Sequence, residues 1–279
     1  MRPDPAAEQL RDRLRGTLIA AAATPMTSEA VIDLDVVETY LRGLVASGAD
    51  ALAVLAHTGR GPFLSAAERA AVIERAVAVG VPVLVGVGGG ADADAPAQAQ
   101  VAAELGASGV LVFPPPGDRV AAHDAVWRAA GLPMIAFDLY TMPCRADELA
   151  AVLEHPGVAG LKTALLSDAM GCQRAIDLTR AAGRLAITGE DRMFAASLLW
   201  GAEAALVGIA AASVGTTAAV LAAYRDNDLR AFEKASTRLD ALAKRTFKDP
   251  MEGYVSRMLR IAAEEGRIPE AHAQDPHRP

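Results

Sequence analysis

The chain has 279 residues, of which 52% are hydrophobic and only 4% aromatic, so its core must be assembled from many small apolar elements. A formal charge of −7 offers no basic face, which argues against nucleic acid or an anionic membrane as partner. The two cysteines, Cys144 and Cys172, stand far apart without metal-ligand spacing, the pattern of reduced thiols in a cytoplasmic protein.

In chain order, residues 1–15 are charged throughout, lack the apolar centre of a signal peptide, and read as an N-terminal extension. Short apolar runs then recur, each followed by a helix-like stretch: "TLIAAAATP" near residue 20, "DALAVLA" from Asp50, "VPVLVGVGGG" from Val81 and "SGVLVFPPP" from Ser108. The second half adds "LPMIAFD" from Leu132, "GVAGLK" from Gly157, "RLAITGED" from Arg184 and "EAALVGIA" from Glu203. Near-continuous apolar runs without alternation suit parallel strands covered on both faces. Between them, Asp33 is placed to cap a helix ending near Gly48, and Ser65 with Glu68 forms a capping-box pattern ahead of a helix ending at Gly80. Further helices stop before Pro156 and at Gly183. The uncharged stretch from Ala204 to Tyr224 has membrane length, but its Ala/Gly/Thr content favours a buried strand followed by an alanine-rich helix.

Eight strand–helix units predict a (β/α)8 TIM barrel over residues 16–223. Residues 224–268 are expected to add a C-terminal helical appendage, and the polar, proline-containing residues 269–279 a frayed tail. The competing doubly wound sheet rests on "GVGGGA", Gly86 to Ala91, a loose match to a dinucleotide-binding turn. No acidic residue follows at the end of the next strand, so a dinucleotide site is rejected. No histidine joins carboxylates at ligand spacing, and neither metal nor cofactor is expected.

One residue breaks the apolar pattern with chemistry. The chain has four lysines, and Lys234, Lys244 and Lys248 lie in the C-terminal helices. That leaves Lys162 alone in the barrel portion, at the carboxyl end of the sixth strand. Barrel enzymes place chemistry at that rim. Unlike arginine, a desolvated lysine loses its proton at working pH and becomes a nucleophile toward carbonyls. The alternative is a lysine that reaches solvent past the strand end or pairs with a rim carboxylate.

Several motifs occur in the order found in the dihydrodipicolinate synthase and N-acetylneuraminate lyase family, from about Gly16 to Ile268. "LIAAAATPMTSEAVIDLD" resembles the family's opening strand and "TP" turn, and "HTGRGPFLSAAER" resembles its "TTGE…LS…ER" segment. "LVGVGGG" is similar to its glycine-rich third strand end, "GVAGLK" to the strand bearing its imine-forming lysine, and "ITGEDRM" to its "lsGdD". The resemblance implies a Schiff base between Lys162 and a 2-oxo acid such as pyruvate. The carboxylate would be cradled by Thr58 and Gly59, and the enzyme would be a homotetramer or homodimer. Asp138, Gly189, Glu190 and Val207 are the further substrate-binding candidates.

The proton relay departs from the family pattern. The first loop threonine is His57, the fifth-strand tyrosine position is Phe137, and the arginine position falls near Met142. "PPP", Pro114 to Pro116, replaces a tyrosine-bearing motif that reaches a neighbouring subunit. His57, Tyr140 and Asp138 are the candidate proton carriers. For Glu190 the alternative is pairing with Arg60 or Arg192, and for Asp191 capping of the next helix. These features predict a Schiff-base lyase or dehydratase with an altered relay, a non-catalytic 2-oxo-acid binder on the same barrel, or a barrel enzyme whose Lys162 acts only as acid/base.

Overall fold

The structure is a computed structural model that describes residues 3–90 and 92–277. Eight parallel strands close into one barrel in sequential order. They are β1 (Leu18–Ala21), β2 (Ala51–Val54), β3 (Val83–Val87), β4 (Gly109–Val112), β5 (Met134–Leu139), β6 (Val158–Ala164), β7 (Leu185–Thr188) and β8 (Ala204–Val207). All eight coincide with the apolar runs read from the sequence, β5 running one residue and β6 two residues past them, and every strand residue is buried. The stretch tested for membrane length divides into β8, a short 3-10 turn and a helix. No helix among the described residues is long and apolar enough to cross a membrane.

Two cores result from the alternation of side chains across the sheet. Small inward residues, among them Ile19, Ala51, Leu84, Leu111, Ile135 and Leu206, fill the cylinder. Outward residues such as Leu52, Val85, Val112 and Val207 pack under the helices. The first helix, α1 (Pro5–Leu14), lies where the charged extension was expected. Asp4 caps it by accepting the Ala6 amide, and Ala7, Leu10 and Leu14 join the inward core. Its i, i+3, i+7 apolar stripe was hidden among arginines and acids, yet it closes the amino-terminal end of the barrel.

Around the barrel run α2 (Leu34–Ala46), α3 (Ala66–Val77), α4 (Ala95–Glu104), α5 (Arg119–Ala130), α6 (Ala146–Glu154), α7 (Ala169–Ala181), α8 (Phe194–Leu199) and α9 (Val214–Arg225). Asp33 caps α2, and Ser65 with Glu68 forms the full capping box of α3. The appendage consists of α10 (Leu229–Thr246) and α11 (Tyr254–Glu264).

The tail up to residue 277 is pinned rather than frayed. Met26 bridges Ala273 and Gln274, Asp275 accepts two hydrogen bonds from the Arg60 guanidinium, and the His277 ring stacks on Phe63. Charged and polar residues ordered this segment through ion pairs, which a hydropathy reading overlooks.

Candidate active site

The position of Lys162 depends on an irregularity in β6. Met134 pairs with Val158 but Ile135 pairs with Gly160, so β6 carries one extra residue at that point. Ala159 faces the inner core and Leu161 the outer one. The extra residue resets the two-residue alternation, and Lys162 therefore points into the barrel mouth instead of the helix layer. Gly160 permits the close approach, since a Cβ there would lie 2.6 Å from the Leu185 carbonyl oxygen.

Lys162 is 5% exposed, and its Nζ lies 4.2 Å from the centre of the Phe137 ring, its neighbour across β5. Among the described residues, no carboxylate comes within ion-pairing distance of it. Burial pushes the ammonium below the ordinary lysine range, against the pull of the Asp191 and Glu190 carboxylates. Burial drives Asp191 the other way, above the usual carboxylate range, although the Ile209 amide donates to its Oδ1 at 2.6 Å and Lys162 favours its charge. Gly189, at the end of β7, makes room for the lysine: a Cβ there would lie 2.5 Å from Lys162 Cε. Its role is space for the amine.

A cavity of about 30 Å3 surrounds the amine. Its walls include His57 and Thr58 after β2, Phe137 and Tyr140 on β5 and its loop, and Gly208 after β8. Phe247, Met251 and Tyr254 close it from the appendage. A larger cleft of about 380 Å3 opens between α8 and α10, and of the lysine's polar neighbours only Asp191 reaches it.

The polar side of the small cavity is one connected cluster. Thr58 Oγ1 and His57 Nδ1 each lie 3.0 Å from the Tyr254 hydroxyl. His57 Nε2 lies 3.3 Å from Glu252 Oε1, and the Tyr140 hydroxyl donates to that same oxygen. Arg60 donates to Glu252 Oε2 at 2.9 Å and to Asp275, tying the loop after β2 to both the appendage and the tail. Burial opposes the charge on Glu252, but hydrogen bonds from His57, Tyr140 and Arg60 outweigh it and hold the carboxyl down at about 2. Burial raises both phenols above the ordinary tyrosine range.

Of the sequence candidates, Lys162, His57, Tyr140, Thr58 and Gly189 therefore meet at one cavity. Four others do not. Asp138 faces the helix layer, where its Oδ1 accepts the Cys144 amide at 2.7 Å; inward positions of β5 are Ile135, Phe137 and Leu139. Glu190, fully buried, accepts the amides of Leu165 and Leu166 and so braces the loop after β6. Val207 belongs to the outer core. Gly59 lies behind the wall, its carbonyl accepting the Thr24 hydroxyl at 2.7 Å. Glu190 pairs with neither arginine: Arg60 takes Glu252 and Asp275, and Arg192 donates to the Phe247 carbonyl. Asp191 binds the Ile209 amide instead of capping α8. Sequence reasoning missed Glu252 and Tyr254. Their signal was an acid and one of only four tyrosines, two residues apart in "PMEGY".

A closed eight-stranded barrel with a buried lysine at its carboxyl-end mouth has the frame of a barrel enzyme. The sequence pattern of the dihydrodipicolinate synthetase family matches residues 14–277, and the chain belongs to that family. It is 30% identical over 275 residues to 4-hydroxy-tetrahydrodipicolinate synthase of Acidiphilium cryptum, covering 91% of each chain. In fold it is similar to a prophage protein of E. coli K12 of the dihydrodipicolinic acid synthase family, solved in complex with pyruvate (TM-score 0.82, 20% identity, 94% of each chain). It also resembles N-acetylneuraminate lyase of Mycoplasma synoviae (TM-score 0.78, 18% identity, 91% and 89% covered).

Proposed function

We propose that this chain is a class I lyase that joins Lys162 to the carbonyl carbon of a 2-oxo acid as a Schiff base, then makes or breaks a carbon–carbon or carbon–oxygen bond beside it. The observation that carries this reading is the Lys162 amine: buried, without a carboxylate partner among the described residues, and lowered in pKa by its surroundings. A protonated imine withdraws electrons from the adjacent carbon, and that is the chemistry such a lysine supplies. Pyruvate, the ligand of the E. coli relative, is the first acid to test.

As it stands the cavity holds a water or two rather than a ketoacid. Binding has to displace a wall, and the part of the wall that comes from outside the barrel is the segment from Phe247 to Tyr254. Thr58, whose side chain lines the same cavity as the lysine, is the candidate for cradling the carboxylate. Incubation with pyruvate and borohydride is expected to leave a reduced adduct on Lys162, seen by peptide mass spectrometry and absent in Lys162→Ala. Absence of an adduct across pyruvate, 2-oxobutyrate and keto-deoxy sugar acids overturns the reading.

A second reading is favoured by Phe137, which puts a ring without a proton beside the amine. In that reading the barrel only binds 2-oxo acids, and a ligand would raise the melting temperature without turnover. Either protein would work in the cytoplasm as a dimer or tetramer, which light scattering of the purified chain measures.

A further inference from the structure

Imine chemistry needs a group that both gives and takes protons at the reacting atoms, and Phe137 cannot do this. We propose that Tyr254, from the appendage, is the catalytic acid and base of this site, with His57 and Glu252 behind it as its proton store. The proposal rests on the Schiff-base reading of Lys162 and names the residue that completes it.

Tyr254 lines the same small cavity as Lys162 and is 6% exposed. Its ring is locked between two others, with centroids 4.7 Å from Phe247 and 6.0 Å from His57, both stacked. Gly208 opens the way in: a Cβ there would sit 3.0 Å from Tyr254 Cε2 and 3.2 Å from Thr58 Oγ1. The hydroxyl meets Thr58 on one side and His57 Nδ1 on the other, while His57 Nε2 faces Glu252. Hydroxyl, imidazole and carboxylate are thus in line, the arrangement by which a weakly acidic hydroxyl is made to exchange protons. Tyr140 is a weaker candidate, because its hydroxyl is committed to Glu252 itself.

The steps balance. The neutral Lys162 amine attacks the ketone carbon, forming the C–N bond as the carbonyl pair moves to oxygen. Tyr254 gives that oxygen its proton and takes one from the new ammonium nitrogen. In the next step Tyr254 again protonates the oxygen and water leaves as the nitrogen pair forms C=N. Tyr254 is refilled from Nδ1 of His57, which starts this step protonated on both nitrogens with its charge balanced by Glu252. Tyr254 then removes a proton from the neighbouring carbon, passing its own back to His57, and the enamine forms. No phenolate accumulates, as suits a buried phenol.

The test uses the full chain, pyruvate in D2O, and two readouts: borohydride trapping and exchange of the methyl hydrogens followed by NMR. Wild type is expected to trap and to exchange. Tyr254→Phe keeps the ring stack and, with rates taken per folded molecule, is expected to exchange about 10² to 10⁴ times more slowly, the range for loss of an acid–base group. Tyr140→Phe is expected to lose less. Wild-type trapping with undiminished exchange in Tyr254→Phe overturns the assignment and leaves the Lys162 reading standing, as does a larger loss in Tyr140→Phe than in Tyr254→Phe. A wild type that traps nothing overturns both.

Discussion

The two ends of the barrel are closed in opposite ways. At the amino end α1 lays Ala7, Leu10 and Leu14 against the inward core, an apolar plug. At the carboxyl end, Glu252 and Tyr254 arrive from the appendage to meet His57, Thr58 and Tyr140, and Lys162 sits beneath them. Burying polar groups costs free energy unless each finds a partner. The mouth accepts that cost with a network in which the Glu252 carboxylate serves three donors, while the inward face of α1 brings only apolar side chains. On the proposed reading the contrast puts stability at one end and chemistry at the other, as in barrel enzymes generally.

The largest expected effect that would break this division is at the apolar end. Leu14 is fully buried, and Leu14→Ala is expected to cost about 2–5 kcal/mol of stability, from lost burial and the cavity left behind. Denaturant titration measures it. Per folded molecule, the rate of adduct formation on Lys162 should stay at the wild-type value; a parallel loss would show the two ends to be coupled.

A substitution of similar size at the mouth should do the reverse. A methyl group at Gly189 would collide with Lys162 Cε and with the Thr163 carbonyl oxygen, each 2.5 Å away. Backbone cannot yield as a flexible side chain can, so the amine moves. A displacement of about 1 Å from an attacking geometry is worth on the order of 10²-fold in rate. Gly189→Ala is therefore expected to slow trapping by that factor per folded molecule, with a smaller loss of stability than Leu14→Ala, of about 1–3 kcal/mol, from the contact with the Thr163 carbonyl. Unchanged trapping would mean that the amine's direction is not set by this wall.

What the sequence made legible follows the same divide. All eight strands were readable because parallel strands buried on both faces are continuous apolar runs. Lys162 stood out because it interrupted one. The bulge that turns it inward was not readable, since Ala159 and Gly160 are both apolar and only pairing with β5 shows the extra residue. Asp138 was misplaced for a related reason. Strand parity is invisible where every residue is buried, and its face is fixed by the inward Phe137 and Leu139 on either side. Glu252 and Tyr254 lie nearly two hundred residues from their partners His57 and Thr58, so no local pattern joins them. Glu190 and Gly59 lie in functional-looking motifs yet serve the loops, holding backbone in place.

The smallest effect tests the electrostatics of the mouth directly. On the Schiff-base reading Lys162 reacts as the free amine, which exists above its pKa and disappears as pH falls below it. Burial lowers that pKa, so trapping should persist to lower pH than an exposed lysine allows. Asp191 and Glu190 pull it back up, and they differ in how they are held. Glu190 is fixed by two loop amides, whereas Asp191 uses one oxygen for Ile209 and faces the cavity with the rest. Asp191→Asn keeps an acceptor for the Ile209 amide and removes a buried negative charge. The amine then loses a source of stabilisation for its charged form, and its pKa falls further. The pH at which the trapping rate is half its maximum is expected to move down, with the high-pH plateau unchanged. A midpoint that stays in place would mean Asp191 carries no charge while Lys162 titrates. A midpoint that rises would show that Asp191 does not stabilise the ammonium, and would overturn this account of the mouth's electrostatics.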